Sequence, residues 1–406
     1  MARILLNRLN SLLAPDILPE TQCGFRSGRS TVNMIFTLRQ IQEKCQEQNM
    51  PLYAIFIDFT KAFDTVSRDA LWIVLQKFGC PIKFINLIKS FHEGMQAHAS
   101  YDNESSEKFD VTNGVKQGCV LAPVLFALYL TAMLEVAFED ADEGIYIQTR
   151  ANADLFKISQ FKAQTLTTKM LVREMLFADD SAIVAHFAEV IQSLLDKFSK
   201  AAKQFSLKIN IKKTECLHQP SPRDANPPVA AEIKIDGKPL VSCSDFKYLG
   251  STVCNKNKLD KELQCRIGKA SAAFSKLQYR LWNNKDITIK VKCKVYRAVV
   301  LSTLLYGAET WTIYRHQVKK LHFFMMRHLR KIMNISWKDK VRNTTILSRA
   351  NLPTMEDILI KKGLKWLGHI HRMDENRLPR QLLYSQLSIR KRNRGRPKLC
   401  FKDVIK

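Results

Sequence analysis

Apolar residues recur along this chain in two rhythms, one with a helical period and one running unbroken or alternating as in strands. ARILLNRLNSLLA spaces Ile4, Leu5, Leu9, Leu12 and Leu13 along one side of a helix, although its arginines also suit a transit peptide. A second helix is predicted from Ser30 to Gln48, and the unbroken apolar run from Leu52 then reads as a buried strand that reaches Asp58 near its end. Ser67 is placed to cap a helix through LWIVLQKF that stops at Gly79, and Pro81 opens another that closes at Gly94. MQAHASY and EKFDVT around Asp102-Asn103 predict a hairpin, and a helix follows from Leu121 to Phe138. MLVREMLF and SAIVAHF are two apolar runs joined at Asp179-Asp180. Beyond them the pattern predicts a helix over Glu189 to Phe205 and a short strand over Lys213 to Leu217.

PSPRDANPP, Pro220 to Pro228, reads as a loop; EIKIDG and DFKYLGSTV read as short strands; long helical stretches begin at Leu259. The pattern therefore predicts an α+β core to Val253, a helical region to Met333 and a tail.

The chain has 406 residues, enough for two or three domains of roughly 100 to 200 residues each. Its 46% hydrophobic and 25% charged residues are values of a folded globular protein. The longest apolar stretch, Cys119 to Leu134, is sixteen residues with Pro123 inside it, short of the ~20 that a bilayer span needs, so no membrane helix is expected. The formal charge of +26 is uneven: from Arg315 to Lys406 there are 24 basic against 6 acidic residues, a field suited to a polyanion. Ten cysteines include no Cys-x-x-Cys pair, and they read as reduced thiols of an intracellular protein, nuclear or cytoplasmic.

Asp58, Asp179 and Asp180 are the candidate chemistry. If their strands are neighbours, three carboxylates converge at one sheet end, an oxygen-rich arrangement that suits Mg²⁺. Asp-Asp between apolar strands is also an ordinary hairpin tip. The flanking residues change that balance. FIDFTKAFD (Phe56 to Asp64), NGVKQGCVLAP (Asn113 to Pro123), FADD (Phe177 to Asp180), LKINIKKTE (Leu207 to Glu215) and FKYLGSTV (Phe246 to Val253) resemble, in order, the successive palm motifs of non-LTR (LINE-type) retrotransposon reverse transcriptases. The resemblance extends upstream to ARILLNRL and LPETQCGFRSGRST, and downstream through LLYGAETW and the GRP-containing tail.

That resemblance implies an α+β right-hand polymerase: partial fingers over 1–50, a palm over 51–255, a helical thumb over 256–335 and a basic C-terminal region over 336–406. It implies that Asp58, Asp179 and Asp180 are both the catalytic residues and the ligands of two Mg²⁺ ions, with Mn²⁺ as the alternative ion, and that the Phe59 carbonyl is a further ligand. Phe63 matches the bulky position under the incoming sugar, or is a core aromatic. Gln117 and Gly118 match the turn that supports nucleotide and template, or form a plain polar turn. Lys213 matches the lysine near the triphosphate, or is a surface lysine. Phe246, Tyr248, Leu249 and Gly250 match the primer grip, or are packing residues.

The implied partners are an RNA template, a DNA primer and deoxynucleoside triphosphates, with no membrane; the oligomeric state is not legible. KELQCRIGKASAAFSKLQYRLW and IKVKCKVYRAVVLSTLLYG suit a thumb along a duplex or a helical bundle with a basic face. RKRNRGRPK reads as an RNA-binding tail, a nuclear localisation signal or a solvated end; a metal reading of His369, His371 and Cys400 lacks a second cysteine. Full-length relatives carry more fingers upstream, so the chain is expected to be N-terminally truncated, and Arg26 and Arg29 are the remaining candidates there for phosphate contact. Two functions follow: RNA-directed DNA polymerase by two-metal nucleotidyl transfer to a primer 3′-hydroxyl, or a catalytically silent, element-derived nucleic-acid-binding protein.

Overall fold

The computed structural model describes residues 1–102, 104–150, 167–222, 231–389 and 399–405. Helix α1 (Thr31–Glu47) precedes β1 (Leu52–Ile57), and helix α2 (Ala122–Phe138) precedes β2 (Glu174–Phe177) and β3 (Asp180–Ala185). Helix α3 (Ala188–Gln204) leads to β4 (Glu215–Gln219) and β5 (Val241–Cys243). These strands form one sheet in the order β5-β4-β1-β3-β2, antiparallel throughout except for the parallel β4–β5 pair.

All six residues of β1 are buried because both faces of the sheet are covered, which is why the run is continuously apolar instead of alternating. Tyr53, Ile55 and Ile57 point into a core with Leu125 of α2 and Leu194 and Phe198 of α3. Leu52, Ala54 and Phe56 point into a second core with Met34, Leu38 and Ile41 of α1. The sixteen-residue apolar stretch is the body of α2, buried on nearly every side, with Pro123 in its first turn where a missing N–H costs little.

After β5 a hairpin of β6 (Asp245–Tyr248) and β7 (Ser251–Cys254) lays Tyr248 and Val253 into the second core. Helices α4 (Asp260–Lys276), α5 (Arg315–Ile332) and α6 (Met355–His371) share a third core around Phe274, Trp282, Tyr296, Met325 and Leu329, which continues through Ile346 and Met355 to Leu359. The fold is thus α+β. Among the described residues no helix is long and apolar enough to cross a membrane, and all ten cysteines are free.

Several local expectations shift. The run MLVREMLF is two strands: Thr167–Val172 pairs with Ile145–Arg150 in a separate sheet, and only Glu174–Phe177 joins the central one. Lys213 lies in a turn before β4, not in the strand. Ile4 is exposed while Leu5 and Leu9 are buried. The stretch after Met333, expected from its charge to be a tail, is largely folded: Gln386–Leu387 adds a strand beside Ile147 and Gln148, and Phe401 packs on Phe36 with ring centroids 5.1 Å apart. The run RKRNRGRPK and most of the Pro220–Pro228 loop lie outside the described residues, as does Asn103 of the expected hairpin turn.

Candidate active site

The register of the sheet brings the aspartates together. Ile57 pairs with Ser181 across β1 and β3, so the register runs on to bring Asp58, just past the end of β1, opposite Asp180, the first residue of β3. Asp179 and Asp180 come from the tight β2–β3 turn, where Phe177 pairs with Asp180. Ala178 in that turn holds a left-handed backbone, φ 59°, costly for a residue with a Cβ and justified only by what surrounds it.

Asp58 is fixed at both backbone ends. Its N–H donates to Thr214 Oγ1 at 3.3 Å and its carbonyl accepts from Asn210 N at 2.8 Å. Together with Thr60 N donating to Lys208 O, at 2.8 Å, this makes an antiparallel bridge of Phe59 to Ile209 that bypasses the Phe59 carbonyl. The Phe59 ring is buried against Phe198.

Electrostatically the three carboxylates act on one another. The Asp180 side chain reaches the surface, yet the protein around it removes enough water to raise its carboxyl to about 6, with the charges of Asp179 and Asp58 adding to the rise. Lys213 Nζ stands 3.7 Å from Asp58 Oδ2, an open, water-screened pair. Among the described residues no group of three His, Cys, Asp or Glu side chains forms a ready-made metal cage. The donor chemistry fits: hard carboxylate oxygens, mutually repelling, that a divalent cation would relieve.

The remaining expected residues fall on two sides of the aspartates. Phe63 stacks on Phe126 at 4.6 Å, and its carbonyl accepts from Val115 N at 2.9 Å, so the loop holding Gln117 and Gly118 is tied to the segment leaving Asp58. Gln117 and Gly118 are exposed, with Gly118 at φ 89°. On the other side Phe246 stacks flat on Phe56, two residues before Asp58, at 4.0 Å, and Tyr248 is buried 5.3 Å from the same ring. Burial first, then the Asp180 charge, pushes the Tyr248 hydroxyl upward. Leu249 and Gly250 form the hairpin turn with φ 46° and 80°. Tyr306, from LLYGAETW, donates to Leu249 O at 2.9 Å, and Arg266 of α4 donates to Gly250 O while lying 4.5 Å over the Tyr306 ring.

Arg26 and Arg29 are engaged within their own segment. Arg26 donates to Pro19 O and Gln22 O, and Arg29 pairs with Glu20, so both brace their own loop. His371 bonds Tyr384 and Cys400 bonds Asp403, so His369, His371 and Cys400 make no metal site. Sequence reasoning missed Gln22, which contacts the aspartate turn; its only local signal was its place in LPETQCGFRSGRST.

The fold is of the α+β class, with the three aspartates as its candidate site. Residues 1–253 match the family described as Reverse transcriptase (RNA-dependent DNA polymerase), and the chain belongs to that family. Among curated relatives it is 26% identical over 97% of its length to a "Probable RNA-directed DNA polymerase from transposon BS" of Drosophila melanogaster, covering 41% of that protein. It is 24% identical over 98% of its length to the X-element counterpart, covering 40%, and 22% identical over 94% of its length to the jockey RNA-directed DNA polymerase, covering 39%, both from the same fly. The chain thus spans about two fifths of the length of these relatives. A solved apo telomerase from Candida tropicalis aligns with a TM-score of 0.42 and 14% identity, covering 95% of this chain and 61% of that one.

Proposed function

We propose that this chain is the polymerase part of a non-LTR retrotransposon reverse transcriptase, which extends a DNA primer along an RNA template with deoxynucleoside triphosphates. The observation that carries this reading is the β1–β3 register, which sets Asp58 opposite Asp180 and beside Asp179 at one end of the sheet. In this reading the sheet with α2 and α3 is the palm, the segment before β1 is part of the fingers, and α4 with α5 belongs to the thumb.

Asp58, Asp179 and Asp180 would hold the divalent ions, whose chemistry is to activate the primer 3′-hydroxyl and to neutralise charge on the transferred phosphoryl group. Phe63, held by Phe126, would lie against the sugar of the incoming nucleotide and crowd a 2′-hydroxyl. Lys213, with its ammonium already at the carboxylates, would exchange Asp58 for the triphosphate. The Leu249-Gly250 turn, braced by Tyr306 and Arg266, would support the primer end. A net charge of +26 supports a hybrid bound through its phosphates, with affinity that falls as salt rises.

The test is primer extension on poly(rA)/oligo(dT) with Mg²⁺, comparing the wild type with the Asp179→Ala, Asp180→Ala variant. Extension by the wild type that the variant loses, by more than a thousandfold, is the expected result. No extension by either, with salt-sensitive hybrid binding intact in both, would replace this reading with that of a silent nucleic-acid-binding protein.

A further inference from the structure

The aspartate turn is gripped from outside its own hairpin. Thr21 to Cys23 run beside β2 as a short parallel edge: Leu176 N donates to Thr21 O at 3.0 Å and Cys23 N donates to Leu176 O at 2.9 Å. This places the wholly buried Gln22 side chain on Ala178. Gln22 Oε1 accepts from Ala178 N at 3.1 Å and from Gly24 N at 2.8 Å, while Nε2 donates to Ala178 O at 3.4 Å. One carboxamide thus engages both backbone polar groups of the residue whose left-handed conformation precedes Asp179.

Gly24 completes the grip by its lack of a side chain: a Cβ there would stand 2.1 Å from Ala178 N. The gripping segment is itself anchored. Glu20 accepts from Arg29 at 2.5 Å, from Arg377 at 2.8 Å and from Leu378 N at 3.3 Å, so a residue more than 350 positions away in the chain holds the segment on the turn. A buried amide bonded on both sides to a strained backbone is a device for fixing geometry, because an unpaired N–H and C=O at Ala178 would otherwise favour relaxation of the turn.

We propose that Gln22 is a positioning residue for the aspartate pair: its carboxamide holds Ala178 left-handed and so aims Asp179 and Asp180 toward Asp58. This rests on the reading of the three aspartates as a divalent-cation site.

The experiment measures Mn²⁺ binding to the full chain with template–primer by electron paramagnetic resonance, the site-specific part being that lost in Asp179→Ala, Asp180→Ala. Gln22→Met keeps the volume and removes the hydrogen bonds. It is expected to weaken that binding about tenfold and to speed amide exchange in the peptide spanning Met175 to Ser181. Ile346→Val, in the third core outside α4 and α5, serves as a destabilised control and should leave Mn²⁺ affinity unchanged. Adding Ala178→Gly to Gln22→Met removes the left-handed penalty and should recover a severalfold part of the lost affinity, which a merely structural Gln22 would not predict. If Gln22→Met does not fold, Gly24→Ala gives the same comparison by pushing the two backbones apart. Unchanged Mn²⁺ affinity in the folded variant, or faster exchange spread over the whole sheet, would overturn the proposal. Wild-type Mn²⁺ binding without primer extension would overturn the polymerase reading alone; Mn²⁺ binding indifferent to the aspartates would overturn both.

Discussion

Gly114 shows how much one residue can decide. It lies at φ 81° with its N–H donating to Val66 O at 2.9 Å, and a Cβ there would meet Asp64 Cα at 2.7 Å and Asp64 O at 2.6 Å. The loop carrying Gln117 and Gly118 therefore touches the segment leaving Asp58 through a contact only glycine permits. Gly114→Ala should detach that loop, reducing primer extension more than tenfold and lowering stability by about 1–3 kcal/mol, read from steady-state kinetics and thermal melts. The same logic separates the candidate residues. The aspartates stood out in the sequence because acidic residues ending apolar runs are conspicuous. Gln22 and Tyr306 did not, because their effect depends on backbone atoms of Ala178 and Leu249 that no local pattern connects to them.

Among the elements, α1 departs furthest from its sequence. Its length was legible, since the predicted Ser30 to Gln48 became Thr31–Glu47, but nothing in its polar composition announces that the structure buries it from Asn33 to Cys45. Although Asn33 Nδ2, Thr37 Oγ1, Arg39 Nε and Gln42 Oε1 find no partner among the described residues, other polar groups do: Arg39 bonds Ser251 and the Thr252 carbonyl, Gln42 the Cys254 carbonyl, and Glu43 accepts from Gln40, Thr312 and Phe401 N. Buried polar groups are tolerated on such terms. The α4–α5 bundle makes a second, titratable case. His328 lies flat on Phe274 at 3.9 Å with Phe324 against its edge and Tyr296 hydroxyl at its Nδ1; burial, then the charges of Arg327 and Lys331, lower it to about 4. An unfolded histidine protonates near 6.5, so the unfolded state takes up the proton first. The stability is complete above about pH 6.5 and is lost toward pH 4, at up to about 1.4 kcal/mol per unit. Melting temperatures at pH 7 and pH 5 should therefore differ less in His328→Phe than in the wild type.

For the molecule as a whole, the C-terminal residues are part of the first half's architecture. Leu378, Leu382 and Leu387 lie in the core that backs β1, Phe401 and Trp366 close on Phe36, and Arg377 reaches Glu20. Ending the chain after Met373 would remove Leu378, Leu382, Leu387 and Phe401, at about 1.5–3 kcal/mol for each large side chain a loss comparable to the usual 5–15 kcal/mol margin of a folded protein. Such a variant should elute as an aggregate in size exclusion and lose a cooperative melt, although every palm motif is retained. Treating the last quarter as a charged tail failed here because its net charge is carried on exposed faces and in the RKRNRGRPK run, whereas its leucines are spaced for helices that pack elsewhere.

What the sequence determined by itself was local: the strand that ends at Asp58, the Asp179-Asp180 turn, the capped helices, the apolar α2, and a motif order that identifies the family. Such features follow from backbone periodicity, turn chemistry and residue type within a few neighbours. What only the tertiary structure decided was which of these meet: Asp58 opposite Asp180, Gln22 on Ala178, Tyr306 on Leu249, and the C-terminal helices on α1. Those partners are 57 to more than 300 residues apart in sequence, and contacts at that range are selected by burial and hydrogen-bond satisfaction of the folded whole.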